Sequence, residues 1–177
     1  MKDFPERQSI RLPFYDYGSA GGYFVTIDTR GKRPLFGAIR DEQLELNQWG
    51  RIAQENWLAV PKHFPHVVLD AFIIMPTHMH GILFIVQQEP SDESSYVRAQ
   101  HAAPIQHHRP RVLPGSLGAI IRSYKSAVTK AINEQRYTPP GQSAWHHNCY
   151  ERVIRNQAEL DEIRHYITNN APKHHGK

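Results

Sequence analysis

The spacing of apolar positions changes several times along the chain, and each change predicts an element. Tyr23 to Thr29 is β-branched and aromatic, is released by Gly21-Gly22 and ends at Arg30-Gly31-Lys32, which predicts a first strand. From Asp41 to about His63 the period lengthens. Leu44, Leu46, Trp49, Ile52, Ala53, Trp57, Leu58 and Val60 mostly recur at three- and four-residue spacing, the stripe of an amphipathic helix closed by Pro61 and Pro65. Trp49 and Trp57 read as core anchors against a sheet. Val67 to Val86 is the most apolar stretch, and its branched and aromatic content predicts two strands broken at Pro76-Thr77. Ser116 to Gln135 is a second helix, with Leu117, Ile120, Ile121, Tyr124, Val128 and Ile132 on one stripe. Trp145 to Arg155 alternates loosely and offers a fourth strand. Gln157 to Asn170 makes a last helix with Leu160, Ile163 and Ile167 facing the core.

The resulting order is strand, helix, strand, strand, helix, strand, helix. That is an α+β chain of the ferredoxin-like βαββαβ kind: an antiparallel sheet with helices on one face plus a C-terminal helix. At 177 residues it is expected to form one domain over 1–177. Gln87 to Pro114 interrupts it, with prolines at 90, 104, 110 and 114 and no sustained period, and predicts a flexible loop over about 88–114.

Composition narrows the functional classes. The hydrophobic fraction of 40% is ordinary for a globular protein. The longest apolar run is cut by Pro76, His78 and His80, so no membrane span is expected. The opening MKDFPERQSIRLP has charges but no apolar segment behind it and does not read as a secretory signal. The lone Cys149 excludes an internal disulfide and fits a reducing cytoplasm. A net charge of +4 with twelve further histidines leans toward polyanionic partners.

Candidate nucleic-acid contacts follow from that lean. Arg7 and Arg11 alternate with Phe14, Tyr15 and Tyr17, a mixture that suits phosphates and stacked bases but also a plain surface arm. After Glu93 the long loop has no acid up to Pro114, while Arg98, Arg109 and Arg111 lie within it. It fits a phosphate-tracking loop and a solvated insertion equally. Arg122 and Lys125 lie off the apolar stripe of the second helix, where a solvent-facing charge is the default.

The candidate chemistry sits in the apolar stretch. His78 and His80, separated by Met79, would stand side by side on one face of a strand, with Met79 on the other. Two imidazoles on a stiff strand make half of a metal site, and they equally fit a pair of satisfied edge histidines. On the last helix Tyr166 and Asn170 lie about 40° apart beside the core stripe, so both could reach the histidine pair. On spacing alone, a boundary tyrosine and a helix-terminal asparagine is the stronger reading.

MPTHMHGILFIV, followed by SYKSAVTKAINE and then YERVIRNQAELDEIRHYITNN, resembles the REP-associated tyrosine transposases, a single-tyrosine branch of the HUH endonuclease superfamily. So do RQSIRLPFYDYGSAGGYFVTIDTRGKRPLFG and NQWGRIAQENWLAVPKHFPHVVLDAF, and the resemblance covers nearly the whole chain outside the loop. It implies that His78 and His80 hold a divalent metal, Mg²⁺ or Mn²⁺, with Asn170 as third ligand. It implies Tyr166 as the catalytic nucleophile and single-stranded DNA, in hairpin-containing repeats, as the partner. The chain departs from the family pattern in having Thr77 where Asn is frequent, and Ala171 ahead of Pro172 where Pro often follows directly.

The implied reaction is metal-dependent cleavage and rejoining of single-stranded DNA through a 5′-phosphotyrosine, by a cytoplasmic monomer or homodimer. Two other functions fit the same fold. A non-catalytic nucleic-acid-binding module would bind DNA after Tyr166→Phe. A water-using metal phosphodiesterase would keep most activity after Tyr166→Phe and lose it after His78→Ala.

Overall fold

The computed structural model describes residues 19–86, 113–135 and 142–169. Among these the strands are β1 (Gly21–Asp28), β2 (Gly37–Arg40), β3 (Gln43–Leu46), β4 (Val67–Ile74), β5 (His78–Ile85) and β6 (Tyr150–Ile154). The helices are α1 (Gln48–Leu58), α2 (Val60–His63), α3 (Leu117–Glu134) and α4 (Gln157–Thr168). The main sheet runs β4-β5-β1-β6 and every pairing is antiparallel, the strand order of a ferredoxin-like βαββαβ unit. The chain is α+β, as its periodicities predict. Nearly all of the expected arm at 1–20 and of the loop at 88–114 lies outside the described residues.

Two boundaries differ from expectation. Leu44 and Leu46 belong to β3, which forms a separate hairpin with β2, and the helix begins only at Gln48. The hairpin turns at Asp41-Glu42, whose φ angles of 46° and 62° are both positive, as a tight two-residue turn requires. Asp41 suits the first position of such a turn, but Glu42 stands where glycine is usual, so the sequence advertises the turn only weakly. The helix start is built by Asn47, whose side-chain oxygen accepts from the N–H of Trp49 and of Gly50 at 2.9 and 3.0 Å. The fourth core strand starts at Tyr150; Trp145 makes only an isolated bridge to Thr29.

The sheet has two different faces. On one, Val25, Ile27, Met79 and Leu83 pack under Trp57, Ile120, Tyr124 and Val128 of α1 and α3, all at most 2% exposed. Trp57 lies so close to β5 that a Cβ on Gly81 would stand 2.6 Å from its ring, which is why that strand position is a glycine. Among the described residues the other face is covered by α4, with Leu160, Ile163 and Ile167 against Phe24 and Ile82.

Three devices seat α4. Asn156 caps it, its side-chain oxygen accepting from the Glu159 N–H at 2.9 Å. Glu159 in turn accepts from the Arg155 backbone N–H at 2.8 Å and from Arg152 of β6, at 2.8 and 2.6 Å. Two turns on, Arg164 donates to both carboxylate oxygens of Asp70 at 2.9 and 2.6 Å. Asp70 reaches α4 because β4 carries an extra residue between Leu69 and Phe72, a bulge that turns both Asp70 and Ala71 toward the helix.

Candidate active site

The α4 face of the sheet carries the polar cluster. Strand alternation buries Met79 in the main core and turns His78 and His80 to the opposite face. Their Nε2 atoms stand 3.1 Å apart. Each ring is set from behind by a threonine: Thr77 Oγ1 lies 3.0 Å from His78 Nδ1, and Thr26 Oγ1 lies 2.9 Å from His80 Nδ1. Thr26 can do this because β1 register puts it directly across from His80. Phe24, two residues earlier on the same face, stacks on the His80 ring at 5.5 Å and 24°. His80 is 5% exposed, so its position is fixed by packing as well as by hydrogen bonding.

Tyr166 enters from α4. Its hydroxyl lies 3.4 Å from His80 Nε2, while its ring meets His80 and Phe24 edge-on at 5.2 and 6.3 Å. Unlike the histidine it reaches, Tyr166 is 49% exposed, so a large substrate can approach its hydroxyl.

This donor set fits a divalent cation. Two imidazole nitrogens bound to one ion at about 2.1 Å in neighbouring coordination positions stand roughly 3.0–3.4 Å apart. With each Nδ1–H donating to its threonine oxygen, both Nε2 lone pairs converge, and a shared proton or a cation is what makes such an approach favourable. Among the described residues no third histidine, cysteine or carboxylate joins them. Asn170, the expected third ligand, lies one position beyond the described residues; α4 ends at Thr168 with Asn169 as its cap.

The structure thus brings His78, His80 and Tyr166 together. Arg7, Arg11, Arg109 and Arg111 fall outside the described residues. Arg122 and Lys125 lie on α3, across the sheet from the histidines, where they border a shallow cleft of about 650 Å³ with Thr129, Lys130, Asn133 and Ser143. Lys125 is tied down there, donating to the carbonyls of His146 and His147 at 2.6 and 3.0 Å. Burial pushes its ammonium below the ordinary lysine range, against the opposing pull of Cys149 and Glu151. Tyr124, the tyrosine of α3, is a core residue whose hydroxyl donates to the Ala53 carbonyl at 3.2 Å.

Sequence reasoning passed over Thr26, Phe24 and the Asp70–Arg164 pair, and met Thr77 only as a departure from the family pattern. Gly22, Phe24, Thr26 and Asp28 do alternate along β1, which marks them as one face. That Thr26 meets His80 depends on register between strands more than fifty residues apart, and no local pattern carries it.

With this geometry described, comparison with other proteins places the chain. No protein-family model matches it. It is 37% identical over 169 residues to an uncharacterized protein of Haemophilus influenzae, covering 93% of this chain and 87% of that one. The two proteins belong to one family. Among solved structures the chain is similar to a REP-associated tyrosine transposase bound to a REP hairpin, with a TM-score of 0.57, 19% identity, and coverage of 98% of this chain and 74% of that one. At that identity the likeness is one of fold: the chain has a transposase-like α+β fold. Among the described residues no helix is long and apolar enough to cross a membrane.

Proposed function

We propose that this protein is a REP-associated tyrosine transposase: a metal-dependent enzyme that cuts and rejoins single-stranded DNA near hairpins through a 5′-phosphotyrosine. The observation that carries the reading is the Tyr166 hydroxyl standing 3.4 Å from His80 Nε2, beside a second Nε2 only 3.1 Å further on. A nucleophile and a pair of cation ligands meet on one sheet face, and the transposase-like fold supports the same assignment.

His78 and His80 would hold Mg²⁺ or Mn²⁺, with Asn170 completing the set. A divalent ion there supplies positive charge that polarises the scissile phosphate and steadies the departing oxygen. Tyr166 attacks phosphorus: the Tyr166 O–P bond forms, the P–O3′ bond breaks, and the 3′-oxygen leaves as a hydroxyl after gaining a proton. The phosphodiester energy is kept in the tyrosyl ester, so a 3′-hydroxyl can reverse the step and rejoin a strand. A free tyrosine with pKa near 10 is only about 0.1% ionised at pH 7, so the site must favour the phenolate. Thr26, Thr77 and Phe24 act through the histidines, holding each ring in the tautomer and orientation that presents Nε2. Arg7, Arg11, Arg109, Arg111, Arg122 and Lys125 are assigned to DNA phosphates, in a cytoplasmic monomer or homodimer.

The test is an SDS-resistant protein–DNA adduct formed with labelled hairpin-bearing single-stranded DNA and Mn²⁺. The reading expects the adduct with the wild type and its loss with Tyr166→Phe, His80→Ala or EDTA. Cleavage that persists in Tyr166→Phe would assign the chemistry to water, and DNA binding with no cleavage under any condition would leave a binding module.

A further inference from the structure

We infer that Tyr150 is a substrate-positioning residue, a stacking platform for a nucleobase next to the scissile phosphate. The inference rests on the single-stranded DNA reading above.

Tyr150 opens β6, and register places it directly across β1 from Thr26, which is itself directly across from His80. Its ring therefore stands in the same cross-strand row as the metal-pair histidine, on the same sheet face. It meets Phe24 edge-on, with centroids 6.5 Å apart and planes 70° apart. Tyr166 meets the same phenylalanine from another side, at 6.3 Å and 88°. Phe24 and His80 are thus a buried pair flanked by two half-exposed tyrosine rings, 43% and 49% exposed.

One of these rings carries the hydroxyl that reaches His80. The other makes no such reach, and its exposure has no packing purpose. Helix α4 seats itself on β4 and β5 through Leu160, Ile163 and Arg164, and leaves Tyr150 on β6 open to solvent. A phosphate placed between Tyr166 and the histidines puts the next nucleotide of the strand over this open half of the sheet. There an aromatic face, rigidly backed by Phe24, is what a splayed base stacks on without regard to sequence.

The experiment uses the full chain carrying Tyr166→Phe, so that DNA binds without being cut, and single-stranded hairpin DNA with 5-iodouracil next to the cleavage position. Ultraviolet light should cross-link the DNA to the Tyr150 peptide, as read by mass spectrometry. In the same background Tyr150→Thr, which keeps a residue of high strand propensity, should weaken binding roughly ten-fold or more. Tyr150→Phe should restore it to within about two-fold, because stacking needs the ring and not the hydroxyl. With Tyr166 intact, Tyr150→Thr should raise KM while adduct still forms at saturating DNA. Unchanged affinity in Tyr150→Thr, or cross-links that avoid Tyr150, would overturn the inference. Neither outcome depends on cleavage, so it is distinguishable from failure of the transposase reading, which shows as a wild type that never forms adduct.

Discussion

The two faces of the sheet are built from the same strands and do opposite things. In β5, Met79 points into a sealed apolar core while His78 and His80, its immediate neighbours, point into a polar site. The α1/α3 face is thick, with Trp57, Tyr124 and Trp145 packed in it, whereas the α4 face has, among the described residues, a cluster of five buried apolar side chains and an open rim. The dry face makes the strands stiff, and stiff strands, with a threonine behind each ring, hold two imidazole nitrogens 3.1 Å apart. Among the described residues the α4 face leaves Tyr150 and Tyr166 half exposed. Tyr166 arrives on a helix that is fastened by side-chain ion pairs at its margins as well as by its small apolar core.

Substitutions on the two faces should therefore separate chemistry from stability. The largest effect expected is from Tyr166→Phe, which removes one half-exposed hydroxyl and should abolish the DNA adduct with thermal stability unchanged. Tyr124→Phe, which removes a buried hydroxyl from the other face, should still form adduct. An inactive Tyr124→Phe with an active Tyr166→Phe would reverse the assignment of the nucleophile. Trp57→Ala should do the converse, costing about 3–5 kcal/mol of folding stability by cavity formation. Denaturant unfolding measures that cost, and a loss below about 1 kcal/mol would show that the α1 face does not anchor the strands.

A finer division lies within the site face itself. Thr26→Val keeps the shape of the strand and removes the oxygen set 2.9 Å from His80 Nδ1. Loss of such a partner to a metal-bound histidine typically costs about 10–100-fold in metal affinity or activity. Mn²⁺ titration of Thr26→Val should show a weakening of that order, and unchanged affinity would mean that packing on Phe24 alone orients the ring.

How much of this was legible beforehand follows the range of each interaction. The α3 stripe was read to within a residue of its ends, because Leu117 to Ile132 repeat locally and Ser116 caps the start. The opposite facing of Met79 and the two histidines was legible for the same reason, since a strand alternates. The hairpin at Asp41-Glu42 was not, because Glu42 takes the positive φ where a glycine would have marked the turn, and Leu44 and Leu46 happen to continue the spacing of the helix that follows. Thr26 and Asp70 were not legible either: one depends on register, the other on a bulge that turns an acid toward a helix ninety-four residues later. The pairing of Tyr166 with the histidines lay beyond spacing alone, which favoured a boundary tyrosine, and family resemblance supplied it.

The smallest effect expected concerns the fastening of α4, and it has a definite sign with pH. The Arg164 guanidinium holds the Asp70 carboxyl below its ordinary range, and the Arg155 backbone N–H, joined by Arg152, does the same for Glu159. A carboxyl whose folded value is depressed stabilises the fold at pH values above its unfolded value, near about 4, and that contribution is lost as pH falls through the folded value. The face with α4, which carries both of these carboxyls, should therefore loosen as the pH falls. In thermal melts Asp70→Asn should lower the midpoint by a few degrees at pH 7, and the gap from wild type should close as pH falls below 3. A gap that stays constant from pH 7 down to about pH 2 would mean that the ionised Asp70–Arg164 pair does not fasten the helix that carries Tyr166.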